Sequence, residues 1–135
     1  MSAKQKALCA FLNGKSVDVS RYDTSVFVEV DGSEYLVLSE EEADERVKDY
    51  IRESVWAFRP EFLAEHLVIE DRDAAICVLE ALREKCEDAN EPILSMVRDV
   101  DALVADAISA DGRGHFLASW DGEEHAEGDF FIYKV

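Results

Sequence analysis

Positive charge is what this sequence has least of. Fourteen Lys and Arg stand against 31 Asp and Glu in 135 residues, a formal net charge of −17 with a pI near 4.4. A field of that sign repels a nucleic-acid backbone and an anionic membrane surface, so direct binding to either is not expected and basic partners are favoured. Long apolar runs are missing too. Nothing approaches the ~18 residues of a membrane span, and the short run from Ala7 to Leu12, after Lys4 and Lys6, is too brief for a secretory leader. Six Gly and two Pro leave few breakers, and 48 % hydrophobic residues give the composition of a packed globular protein. The three cysteines, Cys9, Cys77 and Cys86, are odd in number. Two of them fall in apolar helical patterns, where a small buried hydrophobe is the usual role, and the expected compartment is a reducing cytoplasm.

Catalytic fingerprints are equally scarce. There is no Gly-x-Ser-x-Gly, no Cys-x-x-Cys, no His-x-x-x-His, and no cysteine has a histidine beside it in sequence. The Gly-x-Gly of Asp111-Gly112-Arg113-Gly114-His115 reads as a turn leading into a strand, whereas phosphate loops place such glycines at the start of a helix. Asp99, Asp101 and Asp106 lie in a helical pattern without the glycine of a calcium loop. His66 lies four residues after Phe62 and is placed to pack on it. His115, Asp121, Glu123, Glu124 and His125 form the one cluster of histidine with carboxylates, which a hairpin pairing His115 with His125 would draw together. A solvated acidic loop is the more economical reading, so no cofactor, metal or catalytic residue is assigned and the chain is read as a non-enzyme.

What is present is a fold pattern and an uneven charge. Residues 1–30 carry four bases against three acids, whereas residues 31–135 carry ten bases against 28 acids. A helix through Leu12 is expected to close at Asn13-Gly14. Val26–Val30 and Glu34–Leu38 are β-branched or aromatic-rich runs around Asp31-Gly32-Ser33, a hairpin signature. Ser39 and Glu42 make a capping box that starts a helix with an inward stripe at Ala43, Val47, Tyr50, Ile51, Val55 and Phe58. Arg59-Pro60 ends it, and Pro60 opens a short helix to Leu67. A helix from Asp73 to about Glu87 has its stripe at Ala75, Leu79, Leu82 and Cys86. Another, capped at Asn90, runs on to Ala110 through Ile93, Val97, Val100, Val104 and Ala107 or Ile108. The tail reads as a second hairpin, with strands at His115 to Trp120 and Asp129 to Val135.

The expected fold class is therefore α+β: two β-hairpins joined in one antiparallel sheet, packed with three to four helices in a single domain. The organisation is an N-terminal helix and linker over residues 1–25, then one α+β domain over residues 26–135.

The acidic faces carry the most physical content. Glu40, Glu41, Asp44, Glu45 and Asp49 are expected to form a ridge on one helix, Glu80, Glu84, Glu87 and Asp88 a second, and Asp121, Glu123 and Glu124 part of a third. Spaced carboxylates on a rigid frame present to a basic cleft a field like that of DNA, which carries one charge per ~1.7 Å of axis. Trp56, Phe58 and Trp120 are candidate apolar anchors, and Arg113, a rare cation in an acidic field, is placed to pair with a carboxylate. An unpaired hairpin edge would leave room for a homodimer.

Three stretches carry a resemblance: Glu34-Tyr35-Leu36-Val37-Leu38-Ser39-Glu40-Glu41-Glu42-Ala43-Asp44-Glu45, Ile51-Arg52-Glu53-Ser54-Val55-Trp56-Ala57-Phe58, and residues 107–124, which include Asp111-Gly112-Arg113-Gly114-His115-Phe116 and Trp120-Asp121-Gly122-Glu123-Glu124. Over most of residues 26–135 the chain resembles a family of small acidic proteins encoded by bacteriophages and prophages. The resemblance implies a bacterial host cytoplasm and assigns no activity. Small acidic phage proteins include inhibitors of host restriction and CRISPR complexes. The expected function is thus inhibition of a host nucleic-acid-binding defence complex by acidic mimicry, with a basic protein or ribonucleoprotein surface as partner. The alternatives are a phage accessory or replication-module protein that binds another protein and, behind it, a small metal-binding protein or enzyme using residues 112–125.

Overall fold

In the computed structural model residues 2–12, 27–30 and 32–135 are described. The expected helix cap at Asn13-Gly14, the start of the first strand at Val26 and the domain boundary at residue 25 lie outside the described residues. The chain is α+β, with one four-stranded antiparallel sheet built from two hairpins. It divides into two compact units, residues 1–47 with 111–135, and residues 48–110. Among the described residues seven α-helices occur, more than the three to four expected. The surplus arises because α1 lies in the N-terminal segment set apart from the expected domain, because Gly112 opens an unexpected five-residue helix and because one long predicted helix is split in two.

The first unit is the sheet unit. It holds α1 (Ala3–Phe11), β1 (Phe27–Val30), β2 (Ser33–Ser39), the start of α2 (Glu40–Ser54), α7 (Arg113–Leu117), β3 (His125–Glu127) and β4 (Phe130–Lys134). Strand order is β1-β2-β4-β3, so β2 and β4 are central. The first hairpin forms as expected: Val30 pairs with Ser33, and Gly32 takes the positive φ of +80° that a residue with a side chain would resist.

Strand side chains alternate between faces. Val28, Val30, Tyr35, Val37 and Ile132 join Leu8 of α1 in one buried cluster, flanked by Cys9, Phe11, Leu12 and Phe130. The other face carries Leu36 opposite Tyr133 and Leu38 opposite Phe131. Leu36, Leu38 and Tyr133 are all buried, so the centre of the sheet is covered on both sides. The capping box forms as the sequence predicts: Ser39 Oγ accepts from Glu42 N at 3.2 Å and Glu42 Oε1 accepts from Ser39 N at 3.0 Å. With a further hydrogen bond from Lys4, these bonds hold the Glu42 carboxyl below its ordinary value.

The tail departs from expectation. Residues 113–117 form α7 and the strand is confined to His125–Glu127, hairpinned to β4 through Gly128 at φ +61°. Phe116 and Leu117, at the end of α7, and Ala118 after it are buried in succession. The Gly-x-Gly therefore opens a helix after all, one of five residues only.

The second unit is helical: the rest of α2, a 3₁₀ turn at Val55–Ala57, α3 (Pro60–Ala64), α4 (Arg72–Arg83), a 3₁₀ turn at Cys86–Ala89, α5 (Asn90–Met96) and α6 (Val100–Asp111), whose last residue falls in the sheet unit. Ile51, Val55, Leu63, Leu79, Ile93 and Leu103 fill its core. Tyr50, expected on the inward stripe, is exposed. The helix predicted from Asn90 to Ala110 breaks at Val97, where Leu67 and Val97 make an antiparallel bridge. Val68 N donates to Met96 O and Arg98 N to His66 O, both at 2.8 Å. Asp99 then caps α6 through Asp101 N and Ala102 N. Asn90 works across the unit, its side chain accepting from Trp56 N and donating to Glu53 O.

The helix predicted to reach Glu87 stops at Arg83, and Cys86 takes φ +53°. A cysteine gains nothing there, since an L side chain in the left-handed region crowds the following carbonyl. Cys77 and Cys86 are both exposed and Cys9 half-buried, so the role of small buried hydrophobe fails for the first two. Cys86→Gly is expected to raise stability by about 0.5–1 kcal/mol. Urea unfolding at equal m-value tests this, and an unchanged or lower midpoint would contradict it.

Candidate functional site

Arg113 organises the polar side of the sheet unit. Gly112, at φ +82°, turns the chain off α6 and sets Arg113 as the first residue of α7. Its guanidinium grips Glu124 with two parallel bonds, Nε to Oε2 at 2.8 Å and Nη2 to Oε1 at 3.1 Å. Nη1 reaches Asp44 Oδ1 at 3.0 Å, and the charge lies 4.4 Å from the Phe131 ring centre. Tyr133, fully buried, donates its hydroxyl proton to Glu124 Oε2 at 2.5 Å. The expected pairing of Arg113 with a carboxylate is thus met twice.

Burial alone raises the Glu124 carboxyl, but hydrogen bonds from Arg113 and Tyr133 and the guanidinium charge outweigh it and hold the group below its ordinary value. Burial and the neighbouring carboxylate push the Tyr133 phenol upward. Burial pulls the Arg113 guanidinium down, but Glu124, the tyrosine and Asp44 reverse this and keep it charged. The group is a clamp: all three guanidinium nitrogens, both Glu124 oxygens and the Tyr133 hydroxyl hold hydrogen bonds within it.

The clamp also sets the path of residues 121–125. Gly114 packs against the backbone of Gly122, Glu123 and Glu124, where an added Cβ would lie 2.6–2.8 Å from backbone atoms. Glu124 turns inward to Arg113, while Asp121, Glu123 and His125 converge, with one donor atom of each within 4.8 Å of the others. His125 was expected to meet His115, but His115 lies on α7 with its ring against Phe116. The other three members of the predicted cluster are brought together, and Glu124 leaves it for Arg113.

The predicted acidic ridges are solvent-facing. Glu40, Glu41, Glu45, Asp49, Glu80, Glu84, Glu87 and Asp88 are exposed. None of them makes an ion pair with a Lys, Arg or His among the described residues. Glu41, Glu45 and Asp49 recur every fourth residue of α2, about 6 Å apart along its axis. The second ridge is interrupted: Glu84 caps α4, and the positive φ of Cys86 separates it from Glu87 and Asp88. Asp44 and Glu124 are spent on Arg113 and leave the free acidic surface.

Of the candidate anchors, Trp120 is 72 % exposed with Lys134 Nζ 5.0 Å from its ring centre, while Trp56 and Phe58 are half-buried. Sequence reasoning passed over one exposed dyad: His66 Nε2 lies 2.7 Å from Asp106 Oδ2 with the ring stacked on Phe62. The i, i+4 spacing from Phe62 signalled the stacking, but nothing local signalled Asp106, forty residues on. No protein-family model, curated protein or solved structure matches this chain.

Two measurements test the clamp. A depressed folded-state carboxyl contributes stability that is full above its unfolded value, near 4.5 for Glu, and is lost as pH falls through the folded value. The difference in Tm between the native chain and Glu124→Gln is therefore expected to be largest at pH 7 and to shrink below pH 4.5. A difference that stays constant across that range would contradict this. Gly114→Ala is expected to cost about 2–3 kcal/mol in denaturant unfolding, because the obstructing atoms are backbone. A cost below about 0.5 kcal/mol would show that α7 can shift away freely.

Proposed function

We propose that this chain is a small, non-enzymatic, phage-type inhibitor that occupies a basic nucleic-acid-binding surface of a host defence complex through its acidic faces. The observation that carries the reading is that Glu40, Glu41, Glu45 and Asp49 of α2 and Glu80, Glu84, Glu87 and Asp88 on and after α4 make no ion pair among the described residues, which leaves their field directed at solvent. An excess of 31 acids over 14 bases cannot be neutralised internally, and here the few bases are used at particular points, such as Arg113 in its clamp. Such a field steers a basic partner, and the resulting contact weakens steeply as salt rises. Glu41, Glu45 and Asp49 form the principal face, and Glu80 and Glu84 a second.

Affinity capture from host lysate at low and moderate salt, with the eluate identified by mass spectrometry, tests the proposal. The expected result is recovery of a basic nucleic-acid-binding complex that is lost as salt rises and is competed by DNA or RNA. Reversing Glu41 and Glu45 to Lys, or Glu80 and Glu84 to Lys, is expected to lower recovery by about tenfold without altering the circular dichroism. A neutral partner insensitive to salt and to these substitutions would overturn the reading.

A further inference from the structure

We propose that Asp121, Glu123 and His125 form a binding site for a divalent first-row transition-metal ion of the zinc class. The three residues alternate along the chain. The backbone between them is clamped from behind by the Glu124–Arg113 pair and by Gly114, neither of which involves the converging side chains. Asp121 Oδ1 accepts from Glu123 N at 3.0 Å, which orients the aspartate and leaves its second oxygen available. The His125 ring rests on Phe11, with centroids 4.7 Å apart, and Nε2 lies 3.8 Å from Glu123 Oε2.

Donors held at 2.0–2.2 Å from one ion stand roughly 3–3.6 Å from each other. Rotation of exposed side chains closes the remaining gap from the present separations of up to 4.8 Å. The electrostatics point the same way. Among the described residues no Lys or Arg comes within ion-pair distance of Asp121 or Glu123. In this unit Lys4 pairs with Glu42, Arg113 with Asp44 and Glu124, and Lys134 lies over Trp120. Two carboxylates therefore converge with only a histidine for company, and a divalent cation supplies the missing charge. The imidazole sets the class of metal, because calcium and magnesium prefer all-oxygen shells whereas imidazole with carboxylate suits zinc and its neighbours.

The test is calorimetric titration of the full chain with zinc chloride at about 150 mM NaCl, where diffuse binding to exposed acids is largely screened. Cys77→Ser and Cys86→Ser are introduced first, because both thiols are exposed and take zinc themselves. One equivalent is expected to bind, with the dissociation constant raised at least about tenfold by each of Glu123→Gln, Asp121→Asn and His125→Ala, and unchanged by Glu80→Gln with Glu84→Gln. The first two substitutions are nearly isosteric and exposed, so they separate loss of a ligand from loss of the fold. Zinc is also expected to shift the ring-nitrogen resonances of His125 while those of His66 and His115 stay in place. Absence of binding, several weak equivalents, or affinity indifferent to the three substitutions would overturn the proposal.

Discussion

The sheet unit depends on one guanidinium. Arg113 draws together a residue of α2, the segment before β3 and the aromatic face of β4, through Asp44, Glu124 and Phe131. In a chain with 31 carboxylates, a partly buried cation is the natural fastener, since acids are available from every direction. Bidentate geometry makes the fastening directional in a way that a lysine could not reproduce. Tyr133 completes it, because its buried hydroxyl needs an acceptor and Glu124 Oε2 provides one.

That arrangement explains a division of labour among the acids. A few are consumed internally: Glu42 by its cap and Lys4, Asp44 and Glu124 by Arg113, Asp101 by Lys48. The remainder on α2 and near the end of α4 face solvent with no ion-pair partner among the described residues, which is the physical basis for reading those faces as directed at a basic partner. Such surfaces cost some stability through self-repulsion, and the buried centres of both units offset it: Leu8, Val37 and Ile132 in one, Ile51, Leu79 and Ile93 in the other.

The features legible in the sequence were those decided within a few residues. Gly32 in a two-residue turn, Ser39 facing Glu42, and Pro60 at a helix start each act on their immediate neighbours, and each appears where expected. The failures have a common cause. The apolar period from Ile93 to Val104 is continuous, but Leu67 competes for the backbone at Val97, and only Asp99, an unheeded cap residue, marked the break. His115 to Trp120 has the apolar content of a strand, yet helix α7 wins because Arg113 is pulled towards Asp44 and Glu124 and Gly114 lets a neighbouring backbone close in. For the candidate site, the residue types in 121–125 were visible as a group. Which of them converge depends on Glu124 being claimed from eleven residues upstream.

The order of strands has a consequence for how the chain reaches this state. Val37 and Ile132 are paired in the middle of the sheet although 95 positions separate them (132 minus 37), and the whole helical unit lies between. Contacts in that unit are drawn from one contiguous stretch, whereas the sheet must close a loop around it before β2 gains its second neighbour. The kinetics this favours are a quick local collapse of residues 48–110 followed by a slower annealing of β4 into place. In the interval β2 stands as an apolar edge, Leu36-Val37-Leu38, open to any strand that meets it. The charged Glu40-Glu41-Glu42 run immediately after it is placed as a gatekeeper would be, since like charges oppose the approach of a second copy of the same segment.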